Sequence, residues 1–312
     1  MAVFMSNPKK QRTLALKHQP FNISSPALHD ALTDFILSRQ AMGCTKTTIQ
    51  NYRWTLAKFI TWLETQGVTS PQEVAARHVR QYLSQITGKS DWYVNGHARA
   101  IRTLVRFWHR EGYLPQPVTF EMPKVGEKRL PYLTAEQIEQ LLKVCTPREK
   151  ALVMFLVDSG LRRQELCNLT RQDVDLQTGM VRVRQGKGKK DRLAMIGATT
   201  RRALLAYLRT CRNRDDNAPL FQTESGGSIS SYGMQSIFYR LSQKAGFRVS
   251  PHMLRRSFAT LALKNGMDIV SLQGLMGHSN LVTTRKYIQW LDEDLIAAHR
   301  RASPIDNLSQ KE

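Results

Sequence analysis

The sequence predicts a mostly α-helical protein of two domains, an all-α domain followed by an α+β domain with a small antiparallel sheet. Helical spacing of apolar residues fills residues 22–114, and the only clear strand alternation, near residues 180–196, lies within a second half that is otherwise helical. Three prolines separate the two halves, at Pro115, Pro117 and Pro123. A chain of 312 residues is long enough for each half to bury a core of its own.

Four helix-start signals divide the first half into four predicted helices. Each signal is a Ser or Thr at the N-cap position before an apolar stripe at helical spacing. The four N-cap residues are Ser25, Thr45, Ser70 and Ser90. Ser70 also forms a capping-box pattern with Glu73, which predicts that the third helix starts directly after it. Gly43, Gly67 and Gly112 follow helical patterns and are expected to end them.

The second half begins at a capping-box pattern, Thr134–Gln137, after a charged linker. Alternating residues at 180–184 and 192–196 flank a Gly- and Lys-rich turn, which predicts a β-hairpin with a lysine-rich tip. Helical patterns return at Thr200–Cys211 and again from Ser230. The predicted divisions are a basic flexible tail at 1–20, a helical domain at 21–118, a linker at 119–132 and a second domain at 133–312.

The charge balance indicates a polyanionic partner. Lys and Arg number 46 against 25 Asp and Glu, a formal net charge of +21, and the excess is present in both halves. Nucleic acid and an anionic membrane surface are the two candidates. The longest apolar run, Ala151–Val157, is far shorter than the roughly 20 residues that span a bilayer. Nucleic acid is therefore the predicted partner, with no membrane role.

Residue motifs exclude several other chemistries. The four cysteines are far apart and form no CxxC pair, which favours a reducing compartment, and we expect a cytoplasmic protein. The sequence contains no Walker-type GxxxxGK[ST], no HExxH and no Cys/His cluster. The predictions are that the protein uses no cofactor and no metal, and that any catalysis relies on basic side chains and on a tyrosine.

The fourth predicted helix carries a stripe of four arginines that favours contact with DNA phosphates. The stripe consists of Arg99, Arg102, Arg106 and Arg110, at i, i+3, i+7 and i+11. A solvated charged face is the simpler interpretation, but no acidic residue lies at a partnering spacing within the stripe, so an external anion is expected. On the second helix we predict further DNA contacts from Lys46, Thr47 and Arg53.

Four segments and a tyrosine carry the remaining signal. Ser159–Leu166 reads SGLRRQEL, Gly186–Lys189 reads GKGK, and Pro251–Thr260 reads PHMLRRSFAT. Gly274–His278 reads GLMGH and precedes Tyr287 by nine residues. The set resembles the tyrosine recombinase family, the phage integrases and Xer recombinases, whose signatures are GLRxxEL, GKGxK, HxLRxxFAT and LxGH followed by tyrosine. Each motif alone is weak, but their common order and spacing make the resemblance specific.

The resemblance implies a role for each matching residue. Tyr287, which by itself could be an ordinary packing aromatic, becomes the nucleophile, and Lys187 becomes the general acid for the leaving 5′ oxygen. Two permanently charged guanidinium groups suit the negative charge that develops on the phosphate. The full predicted catalytic set is Arg162, Lys187, His252, Arg255, His278 and Tyr287. Glu165 is expected to orient Arg162 or His252, and Lys189 to contact DNA, although Lys189 and Lys190 are alternative acids.

The function implied is site-specific DNA recombination through a 3′-phosphotyrosyl intermediate and a Holliday junction, without ATP or metal. Four copies would assemble on two sites, as a homotetramer or together with a related recombinase or accessory factor. The first domain would be the core-binding domain and the second the catalytic domain, with Asp292–Leu308 docking on a neighbouring subunit or covering its own. The biological role would be integration or excision of a mobile element, or resolution of dimers or cointegrates. A type IB topoisomerase and a non-catalytic DNA-binding accessory protein are the rival interpretations.

Overall fold

A computed structural model describes residues 23–126, 130–184 and 191–277. These residues form two compact units, divided between Lys128 and Arg129. The first unit is all-helical, and the second combines helices with one two-stranded antiparallel sheet. The fold class predicted from the sequence is confirmed.

Four α-helices build the part of the first unit that the structure describes. They are α1 Pro26–Ala41, α2 Lys46–Thr65, α3 Ala76–Gln85 and α4 Asp91–Arg110. Three of the predicted N-caps form, because the Ser25, Thr45 and Ser90 hydroxyls each accept a bond from the backbone N–H three residues later. These local signals placed the starts of α1, α2 and α4 correctly.

The predicted start of the third helix was wrong. The Ser70 hydroxyl does donate to the Glu73 carboxylate, at 2.7 Å, but the residues after Ser70 form only a short 3₁₀ turn, Pro71–Glu73. Val74 is then extended, with ψ 120°, and α3 begins at Ala76. The side chain of His78 caps it instead, as its Nδ1 accepts from the Ala75 N–H at 3.2 Å.

Helix α4 buries one face in the core of the first unit. Trp108 is fully buried, and its indole N–H donates to the Ala31 carbonyl at 3.1 Å. Phe107 packs edge-on against Phe35 with ring centroids 5.4 Å apart. The apolar face thereby fixes the rotation of α4 about its axis, so that Arg99 and Arg106 are held on the solvent side.

Seven further α-helices and a hairpin build the described part of the second unit. The helices are α5 Ala135–Lys143, α6 Pro147–Ser159, α7 Arg163–Asn168, α8 Ala198–Thr210, α9 Ser231–Ala245, α10 Pro251–Lys264 and α11 Ile269–Met276. The predicted capping box before α5 forms: Thr134 Oγ1 accepts from the Gln137 N–H at 3.3 Å, and Gln137 Oε1 accepts from the Thr134 N–H at 3.0 Å.

The predicted hairpin is present as β1 Met180–Val183 and β2 Arg192–Met195. Val181 pairs with Ala194 and Val183 with Arg192. Val181, Val183 and Ala194 are buried, so the side chain of Arg192 occupies an inward-facing register position. The turn between the strands, residues 185–190, lies outside the described residues.

The core of the second unit surrounds α6, with buried Leu152, Phe155 and Leu156. A smaller cluster attaches α11 to α10 through Phe258, Ala259, Leu272 and Met276. Among the residues that the structure describes, no helix is both long and apolar enough to cross a membrane.

Candidate active site

Arg162 is placed by a glycine that ends α6. Gly160 has φ 59° and is the left-handed C-cap of that helix, and a Cβ there would overlap the ring of Phe258. Only glycine accommodates both the positive φ and the close approach of Phe258, and this conformation lets the chain turn sharply at this point. Arg162 follows as the N-cap residue of α7, which aims its backbone N–H and its side chain at the first turn of that helix.

Glu165 holds Arg162 at two points, as the spacing of three residues predicted. Arg162 Nη1 donates to Glu165 Oε1 at 2.7 Å, and the Arg162 backbone N–H donates to Oε2 at 2.8 Å. Burial by itself would raise the pKa of Glu165, but the Arg162 N–H, the charge of Arg192 and the side-chain bonds outweigh it and lower the pKa. The carboxylate is therefore ionised, which orients both arginines.

Arg255 lies at the centre of the site and is buried, with 5% of its surface exposed. Its Nη1 donates to the carbonyl of Gly160, and its Nη2 donates to the carbonyl of Met276 at 2.8 Å. One guanidinium group therefore joins the ends of α6 and α11. A planar group with donors on both sides suits this bridge better than an ammonium would.

His252 precedes Arg255 by one turn of α10. Packing around the ring lowers the pKa of His252, and the positive charges of Arg256 and Arg163, followed by Arg255 and Arg162, lower it further. The residue nevertheless keeps an exposed face. At neutral pH the imidazole of the DNA-free protein is neutral, so it can accept one hydrogen bond and donate another.

Arg192 belongs to the same cluster but was missed in the sequence. Its Nη2 donates to Glu165 Oε2 at 2.6 Å, its Nη1 donates to the carbonyl of Leu275, and its side chain is 10% exposed. The signal that could have revealed it is its register: an arginine at an inward-facing position of a strand needs a buried anionic partner. Glu165 is that partner.

Three arginines from three different elements meet the C-terminal end of α11. A helix leaves its last carbonyls unpaired and carries partial negative charge there. The carbonyls of Leu275, Met276 and Gly277 accept hydrogen bonds from Arg192, Arg255 and Arg162 respectively. The cluster therefore contains three guanidinium groups and one carboxylate, an excess of positive charge that suits a phosphate.

A depression of about 870 Å³ opens beside His252. Three arginines line it, Arg163, Arg248 and Arg256, together with the aromatic side chains of Phe247 and Tyr239. The described residues contain no group of His, Cys, Asp or Glu side chains that could hold a metal ion.

The described residues include four of the predicted catalytic and orienting side chains. Arg162, Glu165 and Arg255 are brought together around the ends of α6 and α11, and His252 stands one turn from Arg255. Four other predicted site residues, Lys187, Lys189, His278 and Tyr287, lie outside the described residues. Gly277, the last residue described, immediately precedes His278 in the sequence.

The first unit presents a second cationic surface. Arg99, Arg106 and Arg110 of the stripe are exposed, whereas Arg102 is half-buried. Arg110 has an acidic neighbour that the stripe spacing did not indicate, because its guanidinium pairs with Glu111 at 2.9 Å. On α2, the three side chains predicted to contact DNA are exposed, namely Lys46, Thr47 and Arg53.

A groove of about 390 Å³ runs between α2 and α4. Trp54 and Trp92 form parts of its walls, and Asn51, Arg99 and Thr103 add polar groups. Neither Lys46 nor Arg53 lines it. The groove combines aromatic surfaces with a cation from the arginine stripe, a combination that suits contact with a nucleic acid.

Two family models match the chain. The phage integrase family matches residues 131–294, and the N-terminal SAM-like domain of phage integrases matches residues 32–113. A tyrosine recombinase XerA of Thermococcus onnurineus is 33% identical over 294 residues, which cover 91% of this chain and 99% of that protein. A tyrosine recombinase XerC of Bacillus subtilis is 34% identical and covers 77% of this chain and 84% of its own length.

Solved structures are similar in fold at lower identity. The integrase of transposon Tn1549, in complex with circular intermediate DNA, has a TM-score of 0.71 at 20% identity and covers 88% of this chain and 99% of its own. The XerH recombinase bound to a palindromic difH substrate has a TM-score of 0.67 at 22% identity, covering 86% and 82%. A lambda integrase dimer on a core site has a TM-score of 0.69 at 17% identity, covering 83% and 94%.

Proposed function

Because the chain belongs to the phage integrase family of tyrosine recombinases, we propose that it cuts and rejoins double-stranded DNA through a covalent bond to Tyr287. It is a site-specific recombinase, and the mechanism and residue roles below are our proposal. The observation that carries them is the arrangement of Arg162 and Arg255 around the ends of α6 and α11, directly before the segment with His278 and Tyr287.

In the first step, the hydroxyl oxygen of Tyr287 attacks the scissile phosphorus, and its proton passes to the neutral imidazole of His252 or to water. The bond from phosphorus to the 5′ oxygen breaks, and Lys187 supplies the proton that this oxygen takes up. Arg162 and Arg255 stabilise the charge that builds on the non-bridging oxygens, and His252 and His278 add hydrogen bonds. Five N–H donors per guanidinium allow one arginine to hold a carbonyl and a phosphate oxygen together.

The second step reverses the first with a different DNA strand. The 3′-phosphotyrosyl linkage is itself a phosphodiester, in which the bond to the tyrosine oxygen replaces the bond to the 5′ oxygen. A 5′-hydroxyl can therefore displace Tyr287 and reseal the strand. ATP is not required, because no high-energy bond has been lost. Repeating the exchange on the second pair of strands passes through a Holliday junction and completes recombination.

The proposed assembly is four copies on two DNA sites, in the cytoplasm and on the nucleoid. Similar solved structures support the DNA partner: a transposon integrase is in complex with circular intermediate DNA, XerH is bound to a difH substrate, and lambda integrase is bound to a core site. The C-terminal segment Asp292–Leu308 is proposed to link neighbouring subunits. Integration or excision of a mobile element, and resolution of dimers or cointegrates, all use this chemistry.

A two-site assay tests the proposal. Duplexes bound by the protein are recovered from a random pool, and two direct repeats of the recovered site are placed on a supercoiled plasmid. We expect deletion of the intervening DNA in EDTA and without ATP. A plasmid with one scrambled site is the control and yields no deletion. Equal relaxation of plasmids with and without the site would indicate a topoisomerase, and a footprint with no strand cleavage would indicate an accessory DNA-binding protein.

The arginine stripe of α4 is proposed to contact DNA phosphates. Replacing Arg99 and Arg106 together by alanine should lower affinity for the recovered site and for unrelated DNA alike, since phosphate contacts carry no sequence information. The slope of log K against log salt should become shallower by about 0.9 for each phosphate that the variant no longer neutralises. Fluorescence anisotropy across a salt series measures both quantities.

Arg80 supplies the matched control for the stripe. It is an exposed arginine on α3 of the same unit, so Arg80→Ala removes one charge without touching the stripe. We expect its salt slope to equal that of the wild type. A salt slope that stays unchanged in the Arg99 and Arg106 double variant would remove α4 from the DNA interface.

A further inference from the structure

Arg192 connects three elements of the catalytic unit. It stands at the first position of β2, donates to Glu165 at the start of α7 at 2.6 Å, and donates to the carbonyl of Leu275 near the end of α11. These bonds span 27 and 83 residues of sequence. A single side chain of the hairpin therefore ties the start of α7 to the end of α11.

The charge arrangement argues against a role in stability alone. Burial lowers the pKa of Arg192, whereas the charge of Glu165 and the bond to it act in the opposite direction. Removing two charges from water costs about as much as their attraction returns, so a buried ion pair is often no better for stability than apolar residues of similar size. What the ion pair does provide is a fixed position for the Glu165 carboxylate. Its other oxygen accepts a hydrogen bond from Arg162, so the position of Arg162 is fixed as well.

The close approach of Gly277 to Arg192 supports the same conclusion. Gly277 has φ 62°, and a Cβ on it would overlap the Cδ and Nε atoms of Arg192. The last residue of the α11 cap therefore rests directly against the arginine side chain. The contact therefore fixes the last described residue, Gly277, which His278 follows in the sequence.

We propose that Arg192 is a positioning residue: it holds Glu165, and through it Arg162, in register with the end of α11, without contacting DNA. The inference rests on the proposed function of the same site. An arginine suits the task because its planar fork reaches two acceptors on two elements at once, and a lysine offers a point donor on a flexible stem. The role is therefore specific to the shape of the side chain as well as to its charge.

The test measures single-turnover cleavage of a nicked duplex that carries the recovered site, with the full chain at saturating concentration. Arg192→Met should reduce the cleavage rate constant by about 10–100-fold, with the Kd for DNA within about threefold of wild type. Arg192→Lys should recover part of the rate. Misfolding lowers the amplitude of the reaction, which is the active fraction, whereas poor positioning lowers the rate constant of the fraction that reacts.

Arg182 provides a matched control on the same hairpin. It is exposed and pairs with Leu193 on the outward face of β1, so Arg182→Met should cleave at the wild-type rate. A second control uses coupling. Because Arg192 acts through the carboxylate, Arg192→Met should have little further effect in a Glu165→Gln background.

A modified substrate separates positioning of the phosphate-binding arginine from protonation of the leaving group. A 5′-bridging phosphorothiolate leaves as a thiolate and needs no proton. It should restore cleavage by Lys187→Ala and leave the Arg192→Met defect in place. A wild-type rate constant in Arg192→Met, or its restoration by the phosphorothiolate, overturns the positioning role. Absence of any adduct with the wild-type protein overturns the proposed function itself, and the positioning role with it.

Discussion

Replacing Tyr287 by phenylalanine should abolish the covalent protein–DNA adduct while leaving DNA binding intact. The change removes one oxygen atom, and that oxygen is the proposed nucleophile, so the rate of cleavage should fall by on the order of 10⁴-fold or more. The cationic cluster that we propose binds the phosphate is unchanged in this variant. We therefore expect the Kd for the recovered site to stay within about twofold of wild type.

A nicked duplex is the appropriate substrate for this measurement. The short strand released on cleavage diffuses away, so religation is prevented and the covalent intermediate accumulates. The adduct survives SDS and is counted by gel electrophoresis. Tyr232 offers the matched control, since it is an exposed tyrosine of the same unit, and Tyr232→Phe should give the wild-type yield. An adduct that persists in Tyr287→Phe would show that another residue is the nucleophile.

The second large effect is expected for Arg162 and Arg255, the two arginines that we propose bind the phosphate. Arg255→Lys and Arg162→Lys each keep a positive charge and lose the planar fork. Removing one stabiliser of transition-state charge typically slows a reaction by about 10²–10³-fold, or roughly 3–4 kcal/mol. Arg255 also bridges the carbonyls of Gly160 and Met276, so Arg255→Lys should lower the melting temperature as well.

Of these two variants, Arg162→Lys distinguishes a loss of catalytic rate from a loss of stability. Its side chain is 24% exposed, so Arg162→Lys should reduce the single-turnover cleavage rate with a smaller change in melting temperature than Arg255→Lys. Arg209 is the control, because it is an exposed arginine on α8 of the same unit and lies outside the described arginine cluster. Arg209→Lys should stay within about threefold of wild type. Wild-type cleavage by both Arg162→Lys and Arg255→Lys would contradict the proposed phosphate-binding role.

Local signals were sufficient for most of the fold. The caps at Ser25, Thr45 and Ser90 involve a side chain and a backbone group three residues apart, so they can be read directly from the sequence. Ser70 shows the limit of that approach. Its side chain does pair with Glu73, but a 3₁₀ turn satisfies the same pattern, and extended Val74 prevents the helix from continuing.

The same difference between local and distant contacts decides which parts of the candidate site could be predicted from the sequence. The partnership of Arg162 with Glu165 follows from a spacing of three residues on one helix start, and it was one of the two alternatives predicted for Glu165, the other being His252. Arg192 was missed because its partners lie far away in sequence, and one of them is a backbone carbonyl, which leaves no trace in residue type. The roles of Lys187, His278 and Tyr287 remain predictions, carried by motif order alone.

The arginines at the end of α11 bond to main-chain carbonyls, and this has a consequence for sequence divergence. A carbonyl is present whatever side chain the residue carries, so substitutions at Leu275 or Met276 change the packing without removing an acceptor for Arg192 or Arg255. Gly277 is the exception, because both its φ angle and the nearby Arg192 exclude a Cβ. The chain can thus vary its hydrophobic contacts here over evolutionary time and still keep the end of α11 bonded to the same arginines.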